Sequence, residues 1–572
     1  MEEVKILPSI ATQGIQLQLM APSSRPSPVT VIEPKGVVYT KQWVVELLLD
    51  LSGYTDDRNL VDALAIEPAA GDGAFLGPMI ERLLESCRKL GRPLLDCESS
   101  LIAYELDETS ATLARTLALR ILADHGVSPS IAERLVRAWV ATQDYLFDAS
   151  TREADFIIGN PPYVRMEDIP EETASLYRSA YPTMYGRADL YVAFFEAALR
   201  QLKVNGVCSF ICADRWMRNQ YGTELRRLIT SAYSLELLLN MHKVNAFENE
   251  VDAYPAITVI RHRKQQPAVV AMVEPEAETV QPAQLLTTLL GKNHDARSTL
   301  PQGIHVARVN TWFKGSDPWP CHSPEQLALL RRLEDEFPRL ETNAKVGIGV
   351  ATGNDSVYIT ADESLVEGSR LLKLALAKDV TGGRLEWSGH YLVNPWNADG
   401  LVDLEAYPKL KTYYEHHAVA LKKRHTAGKS PAGWYKTIDR VNLALIAKPK
   451  LYIPDIKDVL EPVLDRGETY PHHNLYFIQS DDWDLEVLGG LLMSAVGQFF
   501  VESYCVRMRG GYLRFQAQYL RRIRVPAPND LSEVRSQELR DAFRRRDRQK
   551  ATEIAYRLYG INSSLMETAL GY

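Results

Sequence analysis

The sequence predicts an α/β protein of two domains, in which an open, doubly wound sheet is followed by a mixed α+β domain. Between about residues 61 and 262, short apolar runs of strand type alternate with helical patterns, as expected for β-α-β units. After about residue 341 the pattern changes to strand-and-loop segments rich in Gly, Tyr and Arg. A chain of 572 residues is also longer than one hydrophobic core usually serves, so at least two domains are expected.

Seven apolar runs predict the strands of the first domain, and two helical patterns predict crossovers between them. The predicted strands are ALAI from Ala63, LIAYEL from Leu101, WVATQ from Trp139, DFIIGN from Asp155, GVCSFICA from Gly206, LELLLNM from Leu235 and PAITVIRH from Pro255. The predicted helices are DLYVAFFEAALRQL from Asp189 and GTELRRLITSAY from Gly222. A Gln-, Pro-, Glu- and Thr-rich stretch at about 264–300 predicts a connection to the second domain.

The first predicted strand ends in a glycine-rich turn, IEPAAGDGAFLGPMI, at residues 66–80. Gly71 and Gly73 would let the backbone approach a ligand that side chains would otherwise exclude. The third glycine, Gly77, comes one residue later than the dinucleotide pattern G-x-G-x-x-G requires. Taken alone, the turn therefore fits either a ligand-binding loop or a structural loop that opens a helix.

Acidic residues follow the next two strands. Glu105 ends the second strand, where an acid can accept hydrogen bonds from ribose hydroxyls. Asp144 ends the third strand and is followed by Tyr145; its carboxylate could accept from the amino group of a purine. Each position also suits an ordinary surface acid or a turn, so neither identifies a ligand by itself.

The fourth strand runs into the most informative segment, ADFIIGNPPYVRMED, at residues 154–168. Pro161 and Pro162 lack the N–H that a sheet ladder requires and fix their own φ, so they stop the strand and stiffen the turn. Asn160 lies just before them, at the carboxyl end of a strand, where open α/β sheets bind their ligands. The pattern predicts a rigidly held polar site.

The charge is unevenly distributed along the chain. The net charge is −8, but residues 411–450 and 501–550 each carry +7, which leaves −22 on the remainder. Local basic surfaces on an acidic protein are compatible with binding a phosphate backbone. The six cysteines include no C-x-x-C pair and predict a reducing cytosol, and no stretch has the composition of a secretory signal or a membrane span.

Taken in order, these segments resemble the gamma-type, Taq-like DNA adenine-N6 methyltransferases of restriction-modification systems. The segments that carry the resemblance are GVVYTKQWVVELLLD, EPAAGDGAFL, AYELD, TQDYLF, DFIIGNPPYV, GRADLYVAFFEAALRQLKVNGVCSFI and FENEVDAYPAITVI. They cover about residues 36–262, and the resemblance is more diffuse over 341–525. Two departures are the loop Ala-Ala-Gly-Asp-Gly, where many members have Ala-Cys-Gly-Ser-Gly, and Tyr39, where Pro often precedes the Thr.

The resemblance implies a Rossmann-like S-adenosylmethionine-dependent methyltransferase sheet with a C-terminal mixed α+β target-recognition domain. The expected boundaries are an N-terminal tail at 1–30, a catalytic domain at 31–265, a connecting segment at 266–340 and the target-recognition domain at 341–572. The implied partner is double-stranded DNA, with a possible cognate restriction endonuclease. The protein is expected to be a monomer in the cytoplasm of a bacterium or archaeon.

The resemblance also implies how the tetrad Asn-Pro-Pro-Tyr works. The amino group of adenine is a poor nucleophile because its lone pair is delocalised into the ring. Hydrogen bonds from both N–H groups to the side-chain oxygen of Asn160 and the carbonyl of Pro161 would favour the reactive form, and Pro162 would keep the acceptors aligned. The target base must leave the duplex, and Tyr163 and Phe247 are assigned to its two faces.

The remaining site residues are also carried by the resemblance. Thr40 is assigned to the methionine carboxylate of S-adenosylmethionine, and no metal is expected. The rest of the cofactor set is Glu67, Ala69, Gly71 and Gly73 of the loop, Glu105 for the ribose, and Asp144 with Tyr145 for the adenine ring. The DNA-binding set comes from YCVRMRGGYLRFQAQYLRRIRVP and comprises Arg507, Arg509, Tyr512, Arg514 and Arg521. Without the resemblance, this segment would be interpreted as a strand with a buried aromatic side and a solvated basic side; with it, contact with DNA phosphates is the preferred interpretation.

Three alternatives stay open. A single-chain restriction enzyme and methylase is suggested by Asp439, Asp455 and Lys457, which loosely resemble the acids and lysine of a nuclease. The same tetrad also serves methyltransferases of protein glutamine and of RNA, although those lack so long a basic C-terminal domain. A DNA-binding module with an inactive methylase fold is the third. The adjacent His472 and His473 are expected to diverge, so a metal site is not predicted there.

Overall fold

The computed structural model describes residues 38–148, 152–242, 244–248, 254–273, 282–291, 303–310, 315–320, 322–508 and 511–561. Its largest element is a nine-stranded sheet in the order β3-β2-β1-β4-β5-β7-β6-β8-β9. The strands are β1 (Ala65–Glu67), β2 (Leu101–Glu105), β3 (Val140–Thr142), β4 (Ala154–Gly159), β5 (Leu202–Ala213), β6 (Ser234–Asn240), β7 (Pro255–Arg261), β8 (Ala268–Val273) and β9 (Ile304–Val309).

The first five strands form the parallel part of this sheet. β1 pairs in parallel with β2 and β4, β2 with β3, and β4 with β5. β7 is inserted between β5 and β6 and runs antiparallel to both. β8 is parallel to β6, and β9 closes this side antiparallel to β8. The predicted doubly wound α/β fold and its seven strands are confirmed, with ends that differ by a few residues.

The predicted connection at 266–340 requires a correction, because β8 and β9 within it belong to the main sheet. The apolar run of β8 is flanked by Gln, Pro and Glu, and the polar flanks dominated the composition of the stretch. The sheet therefore extends past residue 265, where the catalytic domain was expected to end.

Helices cover both faces of the sheet. They are α1 (Gln42–Ser52), α2 (Leu76–Leu90), α3 (Glu108–Asp124), α4 (Pro129–Trp139), α5 (Tyr145–Asp148), α6 (Glu171–Ala180), α7 (Tyr191–Gln201), α8 (Arg215–Arg218), α9 (Thr223–Ala232) and α10 (Pro282–Leu290). One core cluster joins α1 to α4 to one face, and a second joins α6, α7, α8 and α9 to the other. Crossover helices on both faces are the expected arrangement for a parallel sheet.

The helix that follows the glycine-rich turn shows why these segments are helical. In α2 the buried residues Leu76, Met79, Ile80 and Leu83 recur at helical spacing and form one apolar stripe against the sheet. The helix ends at Gly91, which adopts the left-handed conformation and whose N–H bonds back to the last turn. Packing of this stripe orients the start of the helix, and with it the glycine-rich turn.

The C-terminal half contains three small sheets and two hydrophobic cores. Its strands are β10 (Lys345–Ile348), β11 (Ile359–Thr360), β12 (Leu371–Ala375), β13 (Tyr391–Val393), β14 (Lys450–Pro454), β15 (Ile456–Lys457), β16 (Val463–Asp465), β17 (Tyr470–Pro471), β18 (Leu475–Gln479), β19 (Val506–Arg507) and β20 (Leu513–Arg514). Its helices are α11 (Pro324–Glu336), α12 (Asp355–Tyr358), α13 (Pro408–His416), α14 (Ala418–Lys422), α15 (His425–Lys429), α16 (Ala444–Ala447), α17 (Leu485–Leu492), α18 (Ala495–Tyr504), α19 (Ala517–Leu520), α20 (Glu533–Arg545) and α21 (Arg548–Leu558). The mixed α+β architecture agrees with the prediction.

The segment at 504–526 does not form one strand with a basic side, which was the alternative interpretation of its sequence. The segment leaves α18, forms the short hairpin of β19 and β20, and then enters α19. Gly511 has a positive φ of 85°, and Met508 N–H donates to the carbonyl of Tyr512, so the chain reverses there. The arginines are thus divided between a hairpin and the turns after it.

Within the described ranges, no single helix is long and apolar enough to cross a membrane. α17 and α18 reach the required length and composition only as a pair bent by 65°. Most of their residues are buried in the C-terminal core.

Candidate active site

A cavity of about 460 Å³ lies beyond the carboxyl ends of β1, β2, β3 and β4. Most of the predicted site residues meet there, although they are dispersed over more than a hundred residues of sequence. Those that line the cavity are Thr40, Glu67, Ala69, Gly71, Glu105, Asp144, Tyr145, Asn160, Pro161, Pro162 and Tyr163. Gly73 and Phe247 lie outside its lining.

The glycine-rich turn forms one wall of the cavity. Gly71 has a positive φ of 56°, a Cβ on it would meet no heavy atom within 4 Å, and its N–H donates to Glu105 Oε2 at 2.8 Å. Gly73 serves packing, because a Cβ there would come within 2.8 Å of Leu117 on α3. The two glycines thus have different functions: Gly71 lines the cavity, and Gly73 brings α3 close behind it.

Glu67, the last residue of β1, is a buried carboxyl at the inner end of the cavity. Its Oε2 is buried without a hydrogen-bond partner. Burial raises the pKa of Glu67 well above its usual value, and the nearby carboxylates of Glu105 and Asp72 raise it further. Such a group is poised to accept a hydrogen bond or to pair with a cation, since either would relieve the cost of burial.

The two acids at the ends of β2 and β3 are held by the protein backbone. Glu105 Oε1 accepts from Asp107 N–H at 2.8 Å, while its Oε2 accepts from the turn at Gly71. Asp144 Oδ1 accepts from Leu146 N–H at 2.9 Å, and its Oδ2 accepts from the hydroxyl of Tyr177 at 2.6 Å. Each carboxylate is therefore fixed in orientation and still has lone pairs for a ligand.

The aromatic residue after Asp144 has a mainly structural environment. Tyr145 is 2% exposed, and its hydroxyl donates to Gln201 on α7 at 3.0 Å. Its ring contributes an apolar surface to the cavity wall, while its polar end points into the core.

The amide of Asn160 is held on one side only. Its Nδ2 donates to the carbonyl of Val38 at 3.1 Å and to the hydroxyl oxygen of Thr40 at 3.2 Å. The carbonyl of Val38 can only accept, which favours the nitrogen on this side and leaves Oδ1 on the other. Oδ1 is buried and has no hydrogen-bond partner. The site thus presents a preorganised acceptor whose pairing requires a donor from outside the protein.

The chain around Asn160 is packed tightly against the turn after β1. A Cβ on Gly159 would lie 3.4 Å from Pro68, so the end of β4 closely approaches this proline. On the other side of the prolines, Leu190 N–H donates to the carbonyl of Val164 at 2.9 Å. These contacts fix both ends of the proline turn.

Tyr163 and Phe247 meet edge to face. Their ring centroids are 6.2 Å apart and their planes are inclined by 80°. The hydroxyl of Tyr163 is buried without a hydrogen-bond partner, and burial raises its pKa. In this arrangement the two rings do not form a parallel slot.

The segment before α1 connects Asn160 to the segment that carries Phe247. Thr40 forms an isolated antiparallel bridge with Phe247, flanked by Lys41 N–H to the carbonyl of Ala246 and Glu248 N–H to the carbonyl of Tyr39. Thr40 therefore contacts Asn160 through its side chain and the Phe247 segment through its backbone.

Several cavity residues were not predicted from sequence. Val38 and Pro68 orient the Asn160 segment, Leu106 is an exposed apolar side chain on the wall, and Tyr177 holds Asp144 from α6. Leu106 follows Glu105 directly and could have been suspected from an apolar residue exposed after a strand. Tyr177 lies in a helix of ordinary pattern, and no local signal distinguishes it.

Among the described positions of the predicted DNA-binding set, Arg507, Tyr512 and Arg514 belong to the hairpin of β19 and β20, and Arg521 follows it. Arg514 is exposed and pairs with Asp455 at 3.3 Å, and Tyr512 is exposed on the same hairpin. Arg521 donates to the carbonyl of Val346 at 2.9 Å, which ties it to the fold. Arg509 and the side chain of Arg507 lie outside the described residues.

The loosely nuclease-like residues have separate partners. Asp439 Oδ2 accepts from Ala351 N–H, Asp455 pairs with Arg514, and Lys457 pairs with Glu461 at 2.6 Å.

The expectation that His472 and His473 diverge is wrong, because their rings are 4.1 Å apart. Both lie near Asp355. Adjacent side chains can converge at a tight chain crossing, which local sequence does not reveal.

Comparison with known proteins gives consistent results. Residues 129–247 match the family model described as Eco57I restriction-modification methylase. The chain is 43% identical over 544 residues to the type II methyltransferase M.XhoI of Xanthomonas vasicola, covering 93% of this chain and 98% of the relative. It is 44% identical over 543 residues to the type II methyltransferase M.PaeR7I of Pseudomonas aeruginosa, covering 93% and 92%. Among solved structures, the type IIL restriction-modification enzyme MmeI in complex with DNA has a similar fold, with a TM-score of 0.55 at 13% identity over 93% of this chain and 74% of that one.

Proposed function

Because the chain belongs to the type II methyltransferases of restriction-modification systems, we propose that it methylates the N6 amino group of an adenine within a specific DNA sequence. The single observation that carries the proposal is the unpaired oxygen of Asn160, held at the wall of the cavity by bonds to the opposite side of its amide.

The cofactor is S-adenosylmethionine, and the residues of the cavity fit it. An adenosine has two ribose hydroxyls and an amino group that require acceptors, and Glu105 and Asp144 are oriented carboxylates with lone pairs to spare. The methionine part carries an ammonium, which suits the unpaired buried carboxyl of Glu67. Bound there, the cofactor supplies an electrophilic methyl group on a sulfonium.

The protein contributes acceptors and rigidity to the reaction. Asn160 Oδ1 and the carbonyl of Pro161 accept the two hydrogens of the adenine amino group, which draws the nitrogen lone pair out of conjugation with the ring. Pro162 keeps the two acceptors at constant spacing, so little reorganisation is required as the reaction proceeds. As the N–C bond forms, the bond between the methyl carbon and the sulfonium sulfur would break and leave a neutral thioether. The attacking nitrogen would then be cationic and acidic, and would lose one proton to solvent. A buried general base is therefore unnecessary.

The target adenine must be extruded from the duplex, because its amino group is otherwise paired and stacked. We infer that Tyr163 rotates from its edge-to-face contact with Phe247 to cover one face of the extruded base. The buried, unpartnered hydroxyl of Tyr163 supports this inference, since burial of the hydroxyl disfavours the present position.

The C-terminal half is proposed to recognise the DNA sequence. Its basic segments at 411–450 and 501–550 and the exposed hairpin at Arg514 support contact with phosphates. In its cellular context we infer a monomeric cytoplasmic enzyme that protects host DNA from a cognate endonuclease of the same specificity. Light scattering tests the mass, and co-expression with the endonuclease tests protection.

The alternatives are disfavoured for separate reasons. A fused nuclease lacks support, since Asp439, Asp455 and Lys457 are held by different neighbours. RNA or protein glutamine as substrate is disfavoured by similarity to type II methyltransferases along 93% of the chain. A DNA-binding module with an inactive methylase fold is disfavoured because the Asn-Pro-Pro-Tyr tetrad and the glycine-rich turn are both intact.

The decisive experiment uses methyl-labelled S-adenosylmethionine with DNA, RNA and protein acceptors offered in parallel. Label is expected in DNA alone, and hydrolysis of that DNA is expected to yield N6-methyladenine at one repeated sequence. Label in cytosine, or label only in RNA or protein, would contradict the proposal.

A further inference from the structure

A group of three metal-ligating side chains lies in the C-terminal half, outside the cavity. Asp355 is the first residue of α12, and His472 and His473 lie between β17 and β18. Asp355 Oδ2 is 3.2 Å from His472 Nε2, and His473 Nδ1 is 2.9 Å from the same nitrogen. The three donor atoms all lie within 4.8 Å of one another.

Backbone contacts keep these side chains together. Val350 forms a parallel bridge with His472; its N–H donates to the carbonyl of Pro471, and its own carbonyl accepts from His473 N–H. A Cβ on Gly349 would lie 2.2 Å from the carbonyl oxygen of His472, so only glycine permits the crossing. The backbone that carries the two histidines is therefore held against the Gly349–Val350 segment, five residues before Asp355.

Protons alone do not satisfy this group. If neutral His472 carries its proton on Nε2, that single hydrogen must serve both Asp355 and His473. If the proton is on Nδ1, the lone pair of Nε2 faces the carboxylate at 3.2 Å. A cation at Nε2 accepts all three converging lone pairs at once, whereas the buried Nδ1 has no partner with or without the cation.

We propose that Asp355, His472 and His473 bind one divalent cation of the zinc class. Two imidazole nitrogens and one carboxylate oxygen are suitable ligands for zinc, and a tetrahedral zinc ion places its ligand atoms about 3.3 Å apart. Two of the three separations differ from this value by only a few tenths of an ångström, and the third, between Asp355 and His473, is at most 4.8 Å. Asp355 and His473 are exposed, which provides an entry path and a fourth position for water.

The bound cation would stabilise the folded C-terminal half by cross-linking two chain segments. Asp355 lies between β10 and β11, and the two histidines lie between β17 and β18, so the ion would join two chain segments that each pass between the same pair of sheets. Binding to the folded state alone would stabilise that half in proportion to the logarithm of free metal concentration.

The test uses the full chain without an affinity tag, stripped with a chelator and titrated with zinc in a calorimeter. We expect one zinc per chain, with affinity at least tenfold weaker in His473→Ala and in Asp355→Asn. Both replaced side chains are exposed, and circular dichroism checks that the variants fold. His390→Ala, which replaces a half-buried histidine hydrogen-bonded to Ser388, is the control and should bind like the wild type.

Thermal unfolding gives a second measurement. Zinc should raise the Tm of the wild type and of His390→Ala, and at the same concentration should raise the Tm of the two ligand variants less. Absence of saturable zinc binding by the wild type, or equal binding by all four proteins, would overturn the proposal and leave a hydrogen-bonded cluster only. Neither measurement depends on methyl transfer.

Discussion

Replacement of Asn160 by Ala should nearly abolish methyl transfer while cofactor binding remains close to normal. The change removes the only side-chain acceptor assigned to the target amino group, and loss of one such preorganised partner costs about 10²–10³-fold in kcat, or about 2.7–4 kcal/mol. It also leaves the carbonyl of Val38 without its bond at 3.1 Å, which should lower stability by about 1 kcal/mol at this partly buried position.

The matched variant Asn160→Asp separates the acceptor from the bulk of the side chain. It keeps an oxygen on the cavity side, so it should retain at least tenfold more activity than Asn160→Ala. It should still fall below the wild type, because its second oxygen then faces the carbonyl of Val38. Asn59→Ala, which removes an exposed bond to Asp62, serves as the control.

The assay is single-turnover transfer of labelled methyl to DNA that lacks the modification, with cofactor affinity measured separately by calorimetry. Retention of more than a tenth of wild-type kcat by Asn160→Ala would refute the role assigned to the amide oxygen. Equal activity of the Ala and Asp variants would refute the requirement for an acceptor.

Three further predictions concern other residues. Glu67→Gln should raise the Tm of the cofactor-free protein and weaken cofactor binding. The pKa of Glu67 is higher in the folded protein than its unfolded value of about 4.3. The stability contributed by the protonated carboxyl is therefore fully present below about pH 4.3 and is lost as the pH rises through the folded pKa. The Tm of Glu67→Gln should therefore exceed the Tm of the wild type by more as the pH rises. A constant difference between the two Tm values from pH 5 to 9 would contradict this. Tyr177→Phe should raise the Kd for the cofactor about tenfold by releasing Asp144, with a smaller effect for an analogue lacking the adenine amino group and none for exposed Tyr185→Phe. Arg514→Ala should weaken DNA binding and reduce the salt slope by about one unit, whereas Arg88→Ala on the other domain should do neither; an unchanged slope would exclude a phosphate contact.

Much of the catalytic half could be predicted from sequence because its signals are local. β4 and its proline turn are readable from consecutive residues, and Glu105 and Asp144 are recognisable as acids after strands. The insertion of β7 between β5 and β6 was not predictable, since local periodicity carries no information on the order of strands in a sheet.

Features made by distant segments were also missed. The hydroxyl of Tyr177 reaches Asp144 only because α6 folds back over the cavity. Asp355 meets His472 and His473 through a chain crossing between segments more than a hundred residues apart. In the C-terminal half, short strands and turns alternate without a clear period. The hairpin of β19 and β20 depends on a turn at a glycine, and the aromatic and basic composition of the segment gave no indication of this turn.

The short antiparallel bridge between Thr40 and Phe247 has an evolutionary consequence. Successive residues of an extended chain face opposite ways, so inserting or deleting one residue in either segment would reverse which neighbour faces inward. Homologues should therefore vary in length on either side of these two short segments and keep the segments themselves free of gaps.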